Sequence, residues 1–279
     1  MSARTRRATG RVLLNLAAVV VFVCSVFPVY WMVNTSFLPG SAVKSETPHF
    51  WPDQFTLQSF RAAWDGGFMP ALWISLAVTV LTVVAALVFA FLAAIAISRY
   101  RFRSRKSFIV AILVIQMIPA EAMIISTFRV LDGWHLLNTV IGLSAVYIAM
   151  VLPFTIWTLR GFVGGIPADL EEAAMIDGCS RGQAFWRVTF PLLAPGLVST
   201  GIFAFIQAWN EFIFALVIMT RPEAQTLPIW LRSFVQATKA TDWAVVMAGS
   251  TLMAIPVIVF FLIVQGKMTS GLVSGAVKG

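Results

Sequence analysis

The stretch ALWISLAVTVLTVVAALVFAFLAAIAI, residues 71–97, decides the fold of this chain. Its only polar members are Ser75, Thr79 and Thr82. A helix that crosses a membrane needs about 20 mostly apolar residues, and this stretch is long enough. Inside hydrocarbon every backbone donor and acceptor must be satisfied within the segment, which favours a helix. The stretch therefore predicts a transmembrane helix.

The composition of the whole chain supports the same conclusion. Hydrophobic residues make up 59% of the 279 residues and charged residues only 11%, whereas soluble domains carry about 25% charged residues. A soluble chain of this length could not hide so much apolar surface from water. Further apolar blocks predict helices at residues 12–33, 108–128, 136–159, 197–219 and 243–264. We therefore expect an all-α integral membrane protein with six transmembrane helices.

The basic residues predict the orientation of these helices. Most of the 20 Lys and Arg residues fall in the N-terminal segment, in RYRFRSRK (99–106), in the loop after the fourth predicted span, and at Lys267 and Lys278. The positive-inside rule then places both termini in the cytoplasm. Because 99–106 is a short loop between two predicted spans, its charge favours a topology signal over a nucleic-acid patch.

The ends of the chain and the cysteines predict little chemistry. The apolar block 12–33 is too long for the core of a signal peptide and is expected to be retained. Cys24 and Cys179 fall in a predicted span and a predicted loop, so we expect neither a disulfide nor a metal site. Walker, HExxH and GxSxG motifs are all absent from the sequence, so no catalytic residue and no bound cofactor are expected in this chain.

The loop IPADLEEAAMIDGCSRGQAFWRVTFPLLAP, residues 166–195, is too polar to enter a bilayer and predicts two short helices. Gly178 can adopt the left-handed conformation that ends a helix. Ser180 and Gln183 have the spacing of a capping box that begins the second helix. Pro191 is expected to end that helix.

Helices of about two turns are marginal in water and need a surface to pack on. The first short helix is expected to present a small apolar surface edged with negative charge, formed by Leu170, Ala173, Ala174 and Ile176 with Glu172 and Asp177. This pattern is typical of a docking element for another protein.

The loop resembles the EAA loop of permeases from binding-protein-dependent ABC importers. Glu172-Ala173-Ala174, Gly178 and Pro191 keep the spacing of that motif, while Val188 and Phe190 stand where the family has Ile and Leu. The stretches AWNEF (208–212), QTLP (225–228) and GAVKG (275–279) look like the carbohydrate-uptake branch. The overall length and the short first external loop resemble its maltose-permease "G" type subunit.

This resemblance implies a type I permease fold, also called MetI-like, and a role as half of the translocation pathway for a sugar or oligosaccharide. It implies a second permease subunit, two copies of a cytoplasmic ATPase that binds ATP and Mg, and an extracytoplasmic sugar-binding protein as partners. The chain would lie in the bacterial inner membrane. The residues that would couple to the ATPase are Glu172, Ala173, Ala174, Asp177, Gly178, Phe185 and Pro191.

The same resemblance implies a division of the chain. Residues 1–70 would form the first span and first periplasmic loop, 71–265 the permease domain with its coupling loop 161–196, and 266–279 a cytoplasmic tail. The aromatic residues of the loop 34–70 favour short segments at the membrane interface, with contact to an external partner as the alternative. The outer loop 220–242 is also long enough to form a contact surface.

Polar residues inside the predicted spans form a second candidate site. They are Gln116, Glu121, Gln207, Asn210 and Glu211. Charged groups at mid-bilayer cost about 2.5–3.5 kcal/mol, so they usually face a bundle interior or a water-filled path. These side chains either line a translocation path or hydrogen-bond to backbone and neighbouring helices to hold the bundle together.

Two other functions remain possible from the residues. An ion- or proton-coupled transporter could use Glu121 and Glu211 as its coupling sites. An intramembrane enzyme is disfavoured because no nucleophile–base constellation is visible in the sequence.

Overall fold

The computed structural model describes residues 3–235 and 241–276, and the side chains of residue 11, 13–235 and 241–266. Lys239, Lys278 and the last three residues of the stretch 275–279 lie outside the described residues, as does the side chain of Lys267. Part of the charge pattern behind the predicted orientation is therefore not described, and that orientation stays a prediction.

All regular structure in the described ranges is helical. The helices are α1 (Ala3–Ser36), α2 (Gly40–Val43), α3 (Gln58–Ala63), α4 (Met69–Arg99), α5 (Arg105–Ile115), α6 (Ile124–Gly133), α7 (Val140–Gly165), α8 (Asp169–Ile176), α9 (Arg181–Ala184), α10 (Phe190–Asn210), α11 (Ile213–Ile218), α12 (Leu227–Arg232) and α13 (Trp243–Ala276). Single-turn elements lie at Trp64–Phe68 and Phe185–Thr189, which are π-helical, and at Ala120–Met123 and Pro222–Ala224, which are 3₁₀.

The expectation of an all-α membrane protein is confirmed. Within the described residues five helical stretches are long and apolar enough to cross a membrane: Leu13–Ser36, Gln58–Arg99, Val140–Gly165, Arg181–Asn210 and Trp243–Gly266. A sixth span results if the bent pair Arg105–Ile115 and Ala120–Gly133 crosses as one.

The prediction of a single helix over 108–128 is wrong. Helix α5 ends at Ile115, and the chain resumes as a 3₁₀ turn after Pro119 with a bend of 89° between the two halves. A proline inside a helix removes a backbone donor and clashes with the preceding turn. Pro119 lies four residues after Ile115, and its ψ of 119° is not helical, so the helix cannot continue through it.

The predicted span 197–219 is also different in the structure. Helix α10 stops at Asn210, Glu211 is extended, and α11 begins at Ile213. The expectation that Pro191 ends a short helix is wrong, because helix runs without interruption from Arg181 to Asn210. Pro191 lies in the first turn of α10, where a missing backbone N–H is tolerated.

The chain divides into two compact units, residues 1–68 with 231–255 and residues 69–230 with 256–279. In the second unit α4, α7 and α10 form the core. Ala86, Ala90 and Ala94 are spaced four residues apart on α4 and are fully buried. Small residues on one helix face let neighbouring helices approach closely in a membrane, where lipid is as apolar as leucine.

The opposite face of α4 is exposed and apolar. Val80, Val84 and Val88 are among its exposed side chains. A helix with a small-residue face inward and bulky aliphatic side chains outward is suited to lipid rather than to water.

The first unit contains residues 34–68 of the loop 34–70, and this part folds back on the end of α1. Asn34 donates from Nδ2 to the His49 carbonyl at 2.7 Å, and the Tyr30 hydroxyl donates to the Phe50 carbonyl. The ring of Phe37 stacks on that of Phe55 at 4.9 Å. Aromatic side chains stay exposed at Phe50, Trp51, Phe55 and Trp64. Such exposed rings fit an interfacial role, which stays a prediction.

Close packing between α10 and α7 leads to a first prediction. A Cβ added at Gly196 would lie 2.5 Å from Cγ of Phe162. We expect Gly196→Ala to lower the stability of the purified protein in detergent by about 1–3 kcal/mol, because overpacking forces side chains and backbone to shift. Thermal unfolding measures the change.

Gly161→Ala is the matched control. No atom lies within 4 Å of a Cβ built there, and alanine is the better helix former by about 1 kcal/mol. Equal melting temperatures for the two variants would show that the α7–α10 contact is looser than the structure has it.

Candidate functional site: the EAA loop and a polar cavity

Helix α8 carries the Glu-Ala-Ala triplet of the candidate coupling loop. Asp169, Glu171 and Glu172 lie in its first turn, where carboxylates interact favourably with the positive end of the helix dipole. Glu172 and Ala173 are exposed and Ala174 is half-buried. Ile176, at the end of α8, is 86% exposed. The predicted apolar surface with an acidic edge is therefore open to the surroundings in the chain alone.

The turn after α8 has the predicted geometry. Gly178 adopts φ of +89°, the left-handed conformation expected to end the helix. Its N–H donates to the Met175 carbonyl at 3.1 Å. The capping box is also confirmed: the Gln183 N–H donates to Ser180 Oγ at 3.3 Å, and the Ser180 N–H donates to Gln183 Oε1 at 2.9 Å. Asp177, immediately before Gly178, is exposed.

The other two predicted coupling residues lie differently. Phe185 is half-buried, with its ring centroid 5.9 Å from that of Phe91 on α4. The exposed ring of this segment belongs to its neighbour Trp186, which the sequence analysis did not single out. Pro191 is exposed in the first turn of α10.

One interaction of α8 was missed by the sequence analysis. Glu171 Oε1 lies 3.2 Å from Arg99 Nη2 at the end of α4, and it accepts a 2.6 Å hydrogen bond from the Thr189 hydroxyl. Neither partner is near Glu171 in sequence, so no local spacing signals the contact.

A cavity of about 980 Å³ lies within the second unit. All five polar residues predicted inside the spans border it, namely Gln116, Glu121, Gln207, Asn210 and Glu211. Aromatic side chains also line the wall, at Trp134, Tyr147, Phe154, Phe203, Phe212 and Phe214. The helix breaks near Pro119 and Glu211 therefore border the same space.

Glu211 has both carboxylate oxygens engaged. Oε1 accepts from the Phe214 N–H at 2.8 Å, and Oε2 accepts from the Ala215 N–H at 3.0 Å and from the Tyr147 hydroxyl at 2.6 Å. The carboxylate thus caps α11 and ties it to α7. Asn210 donates from Nδ2 to the Ile206 carbonyl at 2.9 Å. Glu211 therefore joins two helices, whereas the hydrogen bond of Asn210 lies within α10. Both side chains border the cavity, and their place in a translocation path stays a prediction.

The other three of these five polar side chains are free to meet a ligand. Gln116, Glu121 and Gln207 are exposed in the chain alone. None of them has a side-chain hydrogen bond within the part of the chain that the structure describes.

Comparison with known proteins identifies the family. The family model described as "Binding-protein-dependent transport system inner membrane component" matches residues 86–269. The chain belongs to this family. It is therefore a multi-pass inner membrane protein and a permease subunit of an ABC importer, a component that is not itself catalytic.

Individual relatives match over nearly the full length. The chain is 47% identical to the diacetylchitobiose uptake system permease protein DasC of Streptomyces coelicolor, over 98% of this chain and 99% of that protein. It is 37% identical to the trehalose transport system permease protein SugB of Mycobacterium tuberculosis, over 91% and 93%.

A solved structure shows the same fold. It belongs to a bacterial ABC transporter involved in the import of the acidic polysaccharide alginate, with a TM-score of 0.79, 25% identity and coverage of 95% of this chain and 98% of that one. None of these relatives supports the ion-coupled alternative, and the full engagement of Glu211 gives it no structural support.

The contacts of Glu211 lead to a second prediction. We expect Glu211→Ala to lower the free energy of unfolding in detergent by about 1–3 kcal/mol, because it leaves donors of the buried residues Tyr147, Phe214 and Ala215 without acceptors. Glu121→Ala is the control, since Glu121 is exposed and borders the same cavity. Thermal unfolding of both variants makes the comparison, and equal losses would contradict a capping role for Glu211.

Proposed function

We propose that this chain is one of two different permease subunits of an ATP-driven importer for a sugar or oligosaccharide. The observation that carries the proposal is helix α8, a short helix whose apolar residue Ile176 and acidic residue Glu172 are exposed just before the left-handed turn at Gly178. An exposed apolar side chain on a marginal helix is stabilised when a partner covers it. A cytoplasmic ATPase subunit is that partner.

The residues of the coupling loop have different roles in this proposal. Glu172 and Asp177 make polar contacts to the ATPase, and Ala173 and Ala174 permit close approach. Gly178 supplies the bend after α8, while Phe185 and Pro191 support the loop from the side of the spans. ATP and Mg are bound and used on two copies of the partner ATPase. Closure of that pair moves α8, and an extracytoplasmic binding protein delivers the sugar on the other side of the membrane.

The domain plan follows from this assignment. Residues 71–265 form the permease domain, and the family model matches residues 86–269 of the chain. The coupling loop 161–196 begins with the last turn of α7 and ends in the first turns of α10. Residues 1–70 and 266–279 flank the domain.

The cargo assignment rests on the relatives and on the cavity. Two relatives are permeases of a diacetylchitobiose and a trehalose system. A saccharide offers hydroxyls to amides and carboxylates and a flat apolar face to aromatic rings. Gln116, Glu121 and Gln207 supply the polar groups, and Trp134 supplies an exposed ring.

Replacement of Glu172 tests the coupling assignment. In the full complex, coexpressed with its partner subunits, we expect Glu172→Ala to reduce co-purified ATPase and ATP-dependent uptake of labelled diacetylchitobiose or trehalose at least fivefold. The reason is loss of a charged contact at the docking surface, worth about 1–2 kcal/mol. Asp169→Ala on the same helix is the matched control, because Asp169 is exposed but lies outside the triplet.

Two outcomes would contradict the proposal. One is uptake that continues in a preparation with no ATPase subunit bound. The other is uptake that survives ATP depletion but follows an imposed proton or sodium gradient and fails in Glu121→Gln, which would favour the ion-coupled alternative.

A further prediction concerns the cavity wall. We expect Gln207→Ala to lower the rate of sugar uptake about two- to tenfold at saturating binding protein, because a lost hydrogen bond to cargo is worth about 0.5–1.5 kcal/mol. Met117→Ala, at an exposed apolar position of the nearby helix break, is the control. Similar uptake by the Gln207 variant and the unaltered complex would show that Gln207 does not contact the cargo.

A further inference from the structure

Three polar side chains join the end of α4, helix α8 and the beginning of the helix that continues as α10. Arg99 Nη2 lies 3.2 Å from Glu171 Oε1, and the Thr189 hydroxyl donates to the same oxygen at 2.6 Å. We call these three residues the clasp. A single carboxylate thus connects three segments that are far apart in sequence.

The clasp is shielded from solvent. The side chains of Arg99 and Glu171 are each 20% exposed, and Thr189 is 1% exposed. Exposed ion pairs contribute little because water and salt screen them, and a pair this enclosed is screened less. Within the described side chains this is the one ion pair between an arginine and a carboxylate. Arg101 and Arg103 in the same loop are exposed and form none.

Helix α8 depends on such a contact for its position. None of its residues is fully buried, so no apolar side chain anchors it firmly to the spans. On one side its chain continues through the left-handed turn at Gly178, and nothing lies within 4 Å of a Cβ built at that glycine. A turn without a packed side chain is a poor transmitter of force. The clasp supplies a direct link instead.

The helices on the other side of the clasp are long and continuous. Helix α4 runs from Arg99 back to Met69 with its alanine face buried. From Thr189 the helix continues to Asn210 at the cavity wall. That distance is roughly 30 Å at 1.5 Å per residue. A displacement of Glu171 therefore reaches the cavity along one unbroken helix.

From this geometry we infer that Arg99, Glu171 and Thr189 are positioning residues that transmit movement of α8 to α4 and α10. The inference rests on the proposed function, because it needs an ATPase that moves α8. Glu171 does not dock the ATPase; its carboxylate faces the chain's own helices. Neighbouring Glu172 is exposed and performs the docking. When the clasp is lost, the ATPase subunit stays bound, but its movement no longer reaches the translocation pathway.

The test uses the full complex in proteoliposomes with labelled diacetylchitobiose or trehalose, whichever the unaltered complex imports. Three quantities are measured: co-purified ATPase subunit, the rate of ATP hydrolysis, and uptake per ATP hydrolysed. For Glu171→Ala we expect ATPase binding within twofold of the unaltered complex and a drop of at least fivefold in uptake per ATP. The exchanged pair Arg99→Glu with Glu171→Arg should recover at least half of that loss. Arg103→Gln is the control for removal of a basic residue from the loop.

Thr189→Val keeps the inference testable where Glu171→Ala does not fold, as judged by monodisperse elution in detergent. It removes one hydrogen bond to Glu171 with little change in volume, and we expect about a twofold drop in uptake per ATP at unchanged ATPase binding. An unchanged ratio in the folded variants overturns the inference. Loss of ATPase from Glu171→Ala in proportion to uptake also overturns it, since Glu171 is then a docking residue. An unaltered complex that holds no ATPase contradicts the proposed function itself.

Discussion

Backbone hydrogen bonding inside the lipid layer is the constraint on which the rest of this structure depends. Each unsatisfied N–H or C=O in hydrocarbon costs several kcal/mol, and irregular backbone is tolerated there only when it is buried in protein or borders a water-filled space. Both interrupted spans obey this rule. The break after Ile115 uses short-range bonds, with the Met117 N–H donating to the Val114 carbonyl at 3.0 Å. The break at Glu211 uses a side chain, whose carboxylate accepts from the first free N–H groups of α11.

These two solutions explain why the polar residues of the spans are where they are. A carboxylate is costly in a membrane helix unless it satisfies backbone donors or meets water. Glu211 does the first and lies beside the cavity; Glu121 sits in the 3₁₀ turn of the other break and faces the same cavity. The helix interruptions, the acidic residues and the cavity therefore occur together for one physical reason, which is the need to satisfy irregular backbone and charge inside the membrane. A continuous helix at either place would remove the irregular backbone and with it the reason for the polar side chain.

Local patterns in the sequence predicted the features whose causes are local. Hydropathy located the long helices, because a run of about 20 consecutive apolar residues is rarely anything other than a transmembrane helix. The capping box at Ser180 and the left-handed Gly178 depend on neighbours three or four residues away, and both were found. Pro119 and Pro191 show the limit of such patterns. Proline breaks a helix in the interior but fits the first turn, and only the tertiary structure decides which of these positions it occupies. The ion pair of Glu171 with Arg99 joins residues from different helices, so no spacing rule could reveal it.

The adjacent residues Glu171 and Glu172 show how a short helix can serve two surfaces. Successive side chains on a helix point about 100° apart, so two neighbouring carboxylates cannot face the same way. Glu171 is turned toward Arg99 and Thr189, and Glu172 is exposed beside Ala173. Glu171 fixes α8 to the helices of its own chain, which leaves Glu172 at a defined, exposed position, as the proposed docking role requires. A longer helix could be held by apolar packing, but α8 has no fully buried residue to provide it. Its two glutamates therefore have different roles: Glu171 holds α8 against the helices of its own chain, and Glu172 is exposed on the outer surface. The order of these two residues in the sequence decides which side of the helix each one lies on.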